Sequence, residues 1–105
     1  MHRFFRMTTF FITRHPGARV WAEQEGIRVD RLLDHLDPVE IQANDAVLGT
    51  LPVHLAAEVC ARGARYLHLT LALPPECRGK ELSAEDLRRF GASLREFEVR
   101  AVDSA

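Results

Sequence analysis

Two short segments of this 105-residue chain, Thr13-Arg14-His15-Pro16-Gly17 and Gly49-Thr50-Leu51-Pro52, carry residues suited to holding and working on a phosphate. An arginine fork binds phosphate through two parallel hydrogen bonds, and a histidine moves protons near neutral pH. Glycine lets a ligand approach the backbone with no side chain in the way. Pro52 fits the first position of a helix, whose free amides attract anions. Arg14 and His15 are therefore the candidate catalytic pair, and Thr13, Gly17, Gly49, Thr50, Leu51 and Pro52 the candidate ligand contacts. His54, in the first turn of the second helix, and Arg78, in a later loop, join the contacts.

Each residue also has a plainer reading. Arg14 and His15 are equally well accounted for as solvated loop residues, and Thr50 as a helix-end residue satisfying a free amide. His54, Glu58 and Arg62 recur at every fourth position, as on a solvated helix face. The convergence of two turns is what favours a site. No histidine, cysteine or carboxylate spacing fits a zinc or two-metal centre, so neither a metal nor a cofactor is expected.

The elements that must position these turns alternate along the chain. Thr8 to Thr13 is rich in β-branched and aromatic residues and predicts a strand. A helix follows from about Gly17 to Gln24, with Val20 and Trp21 facing the sheet. Ile27 to Leu36 mixes strand and helix spacing, and a strand is expected somewhere within it. Ala46 to Leu48 reads as a buried strand. The helix after it, from near Pro52 to Arg62, should turn Val53, Ala56, Ala57 and Cys60 to the sheet. Tyr66 to Leu73 alternates, with four leucines on one face and Tyr66, His68 and Thr70 on the other. Ser83 is a helix N-cap with Asp86 three residues on, an approximate capping box. Glu96 to Val102 reads as a last strand. The order β-α-β-β-α-β-α-β predicts an α/β fold with a mostly parallel sheet flanked by helices. Ligands of such sheets sit beyond the carboxyl ends of the strands, at the switch point.

With 47% hydrophobic residues the chain can bury one core, so residues 7–105 read as a single domain behind a loose extension of six. The formal charge of −1, from 14 basic and 15 acidic residues, offers no global field for duplex DNA. Cys60 and Cys77 form no CxxC pair and suit a reducing cytoplasm. No signal peptide or bilayer-spanning stretch is evident.

Three strings, Phe10 to Ala18, Gly49 to Cys60 and Arg62 to Leu69, together with Arg78-Gly79-Lys80-Glu81-Leu82-Ser83, resemble the small CRISPR-associated family called Csx sixteen, an accessory of type III systems. The likeness spans about Met7 to Arg100. It implies a Rossmann-like homodimer related to CARF-type sensors of cyclic oligoadenylate. It further implies ring nuclease activity, foremost on cyclic tetra-adenylate, which would switch off the antiviral response. Such cleavage can proceed without metal, the ribose 2′-OH attacking its neighbouring phosphorus. Two other readings stay open. One is a module that binds the cyclic nucleotide or a partner without cleaving. The other is a histidine-phosphatase-like phosphohydrolase, because Arg14-His15 with Gly17 approaches an Arg-His-Gly motif that Pro16 interrupts.

Overall fold

Phe10, Phe11 and Ile12 are buried in succession, so their strand is covered on both faces. In the computed structural model, which describes residues 7–102, this strand is β1 (Thr9–Ile12). After it come α1 (Pro16–Gln24), β2 (Arg31–Leu33), β3 (Ala46–Gly49), α2 (Val53–Ala61), β4 (Arg65–Thr70), α3 (Ala84–Arg89) and β5 (Ser93–Phe97), with short 3-10 turns at Pro38–Glu40 and Pro75–Cys77. The sheet order is β2-β1-β3-β4-β5. The first four strands are parallel and β5 pairs antiparallel with β4. The expected α/β domain with a mostly parallel sheet is thus present. The extension proposed for residues 1–6 lies outside the described residues, as do residues 103–105.

Register divides the core into two. Phe10, Val47 and Tyr66 align across β1, β3 and β4, and so do Phe11, Leu48 and Leu67 one residue on. Because side chains alternate, the first row faces Ala56 and Val59 of α2, and the second faces Ala18, Trp21 and Ala22 of α1 with Ala84 and Leu87 of α3. α1 leads to one side of β1 while α2 leads from β3 to the other. The chain therefore reverses direction between β1 and β3, and their carboxyl ends flank a switch point.

Four sequence expectations need correction. Val53 is 72% exposed, and Val59 takes its place on the buried face with Ala56. Val53 is the first residue of the helix, and the buried face begins one turn later with Ala56 and Val59, three residues apart, beside partly buried Cys60. Val20 likewise faces outward while Trp21 is buried, since adjacent helical positions cannot share one narrow face. β4 stops at Thr70, not Leu73, because the partner strand supplies no further ladder. β5 is Ser93–Phe97, three residues ahead of the expected start, since pairing with β4 decides its register. The capping box holds: the Asp86 N–H donates to Ser83 Oγ at 3.0 Å, and the Ser83 N–H donates to the Asp86 carboxylate at 3.1 Å. No helix among the described residues is long and apolar enough to cross a membrane.

Candidate functional site

β1 and β3 end side by side, with Ile12 opposite Gly49. Backbone contact at this point is close enough to exclude a side chain. Gly49 has φ of 149°, and a Cβ there would lie 2.6 Å from the Ile12 carbonyl oxygen. The next residues, Thr13 and Thr50, open onto one cleft of about 530 Å³. That size suits a small-molecule site. Phe11, Ile12, Leu69, Leu71, Leu82 and Leu87 give it an apolar floor, and Thr13, His15, Thr50, Lys80 and Glu81 give it a polar mouth.

The β1–α1 turn is fixed locally. The His15 N–H donates to Thr13 Oγ1 at 3.1 Å, and the Thr13 N–H donates to the Leu33 carbonyl at 2.9 Å. His15 is the N-cap of α1, and its own carbonyl accepts from Ala18. Its side chain makes no cap bond and lines the cleft instead. His15 and Ala18 bring the first turn of α1, the positive end of its dipole, to the cleft wall. Gly17 serves packing: a Cβ on it would overlap the Leu82 carbonyl oxygen. The absence of that Cβ lets the backbone before α3 lie against the start of α1, and Arg88 of α3 bonds Gln24 further along the same pair of helices.

The β3–α2 turn is braced from beneath. The Leu51 N–H donates to Tyr66 Oη at 2.9 Å, and Tyr66 Oη donates to the Gly49 carbonyl at 3.2 Å. His68 Nδ1 lies 2.6 Å from the same oxygen. A proton on His68 Nδ1 satisfies all three contacts at once, since a phenol has one proton to give and two lone pairs. Burial, foremost, pushes the Tyr66 phenol above its ordinary pKa, so the hydroxyl stays a neutral donor. His68 packs edge-on to Phe97. His68 is thus hydrogen-bonded within the fold, and Thr70 is likewise engaged internally, with Ser93.

The candidate residues thus separate. Thr13, His15, Gly49 and Thr50 meet in the cleft. Gly17 shapes its wall from behind. Arg14 is exposed and stands outside the lining. Leu51 gives its amide to Tyr66, and Pro52 caps α2 on the opposite face of the sheet. His54 borders a separate groove with Glu58, Cys60 and Arg100. Arg78 is exposed, and its neighbours Lys80 and Glu81 reach the cleft in its place. Glu81, with Leu71 and the Tyr66–His68 brace, was missed from sequence. A charged loop after Pro74-Pro75 was visible, but not which of its residues turns inward. Among the described residues, no three histidine, cysteine or acidic side chains group as a metal site requires.

Fold and cleft define a small α/β domain with a candidate ligand cleft at the switch point of a mostly parallel sheet. Over residues 10–100 the chain matches the family described as "Putative CRISPR-associated protein (Cas_VVA1548)", and it belongs to that family. No curated protein and no solved structure matches the chain.

Proposed function

We propose that this protein is a ring nuclease of type III CRISPR defence, a cytoplasmic homodimer with a CARF-like, Rossmann-like fold. In this reading it binds cyclic oligoadenylate, foremost cyclic tetra-adenylate, and cleaves it to linear products. The observation that carries the reading is the meeting of Thr13, His15, Gly49 and Thr50 in one cleft at the switch point, in a chain of CRISPR-associated family. The cleft suits a nucleotide: an apolar floor can take a base, and a polar mouth beside a helix N-terminus can take its phosphate.

In the proposed reaction the ribose 2′-OH attacks the adjacent phosphorus in line, leaving a 2′,3′-cyclic phosphate and a free 5′-OH. The site's task is to fix that geometry and stabilise charge on the phosphate oxygens. The Thr13 and Thr50 hydroxyls supply donors at the mouth, the start of α1 supplies the positive end of its dipole, and Lys80 supplies positive charge. His15 is the group suited to proton transfer. Loss of one donor of this kind typically costs about 3 kcal/mol of transition-state stabilisation. A ligand with internal symmetry fits a site shared across a two-fold axis. Arg14, exposed beside His15, would meet such a ligand from outside the cleft.

Incubating purified protein with radiolabelled cyclic tetra-adenylate, with and without chelator, tests the reading. Linear di-adenylate ending in a cyclic phosphate in both reactions is the expected product. Tight binding with the ring intact after many hours would assign the cleft to a binding module instead.

A further inference from the structure

The cleft holds two side chains of complementary acid–base character, His15 and Glu81, brought there by segments 66 residues apart in sequence. Their place on one cleft is built in. Gly17, two residues after His15, has no side chain, so the Leu82 backbone, one residue after Glu81, rests on the first turn of α1. The capping box of Ser83 and Asp86 then fixes where α3 begins and stops the preceding segment from sliding. Among the described residues, Glu81 belongs to none of the five ion pairs.

We propose that Glu81 is the general base of the ring-opening reaction and His15 its general acid; the inference rests on the reading of the cleft given above. The Glu81 carboxylate takes the proton of the 2′-OH as that oxygen bonds to phosphorus. The bond from phosphorus to the 5′ oxygen breaks, and the His15 imidazolium protonates the departing oxygen. Protonated Glu81 and neutral His15 then exchange their protons with water, restoring the starting state. Neither oxidant nor metal enters the balance. The charged groups around Glu81 are Lys80 beside it, His15 across the cleft, and Asp86 of α3 in the adjoining groove. Lys80 stabilises the anionic phosphate without competing for the proton.

The test is the pH dependence of cyclic tetra-adenylate cleavage by the full chain and three variants. Wild-type protein should give a bell-shaped kcat/KM profile. Glu81→Gln should lower kcat about 10²–10³-fold with KM little changed and remove the acid limb. His15→Gln should remove the alkaline limb, and Glu81→Asp should retain part of the rate. Glu85→Gln, on the exposed side of α3, should cleave as wild type. A wild-type protein that cleaves, with Glu81→Gln equally fast or altered only in KM, overturns the assignment of Glu81 alone. A wild-type protein that never opens the ring overturns the nuclease reading and this inference together.

Discussion

The β3–α2 turn and the β1–α1 turn leave the same sheet edge, one strand apart, and are held in opposite ways. The first is held from beneath: Tyr66 reaches up from β4 to the Gly49 carbonyl and the Leu51 amide, and His68 secures the phenol. What it presents to the cleft is backbone and the Thr50 side chain. The second is held from the side, where Gly17 admits the Leu82 backbone. It presents side chains, Thr13 and His15, and the first turn of α1. A fixed backbone wall beside a side-chain wall is a reasonable division for phosphodiester chemistry. One wall sets distance, and the other supplies protons and charge.

Substitutions at the two supports break this division in order of size. Gly17→Ala forces a methyl into the Leu82 carbonyl and should cost about 3 kcal/mol or more, read as a fall in urea midpoint. It should also displace the segment carrying Lys80 and Glu81. Gly49→Ala places a Cβ 2.6 Å from the Ile12 carbonyl at a φ of 149°, and about 2–3 kcal/mol should be lost. Tyr66→Phe leaves the Leu51 amide without its partner and should cost about 1–2 kcal/mol. Ligand affinity should fall with the turn loosened, while the pH profile of cleavage keeps its shape. Ser83→Ala, at the far side of the Gly17 contact, should cost about 1 kcal/mol.

The smallest effect is on pH. The Ser83 backbone and side-chain hydrogen bonds, first among the causes, hold the Asp86 carboxyl below its ordinary value. Bonding to Arg65 does the same for Glu96. A carboxyl with a folded pKa below its unfolded one stabilises at neutral pH, and that contribution is lost as pH falls through the folded value. The urea midpoint should therefore decline below the usual carboxylate range, and Asp86→Asn should flatten part of the decline.

Much of this was legible in the chain. Strand and helix order followed from the apolar run at Ala46 to Leu48, the alternation after Tyr66 and the Ser83 cap. Both turns of the site were visible from Gly49 and from His15-Pro16. Edge elements were not: β2 has three residues and β5 is mostly exposed, so neighbours rather than composition decide their limits. The sequence also favoured α2 as the anion-binding helix, because Gly-Thr-x-Pro precedes it. In the structure α2 packs on the other face of the sheet and lends no residue to the cleft that Thr50 lines, whereas α1 brings its first turn there. Gly17, a candidate ligand contact from sequence, makes room for the Leu82 backbone. Close approach between distant backbones leaves no local signal except the glycine itself.

The central claim is that the two turns share one ligand. The most direct test follows backbone amide resonances during titration with cyclic tetra-adenylate at a temperature that slows turnover. The account predicts that the amides of Thr13 to Gly17, Gly49 to Thr50 and Gly79 to Leu82 shift together along one saturation curve. Shifts confined to one turn, or centred on His54, Glu58 and Arg100, would contradict it.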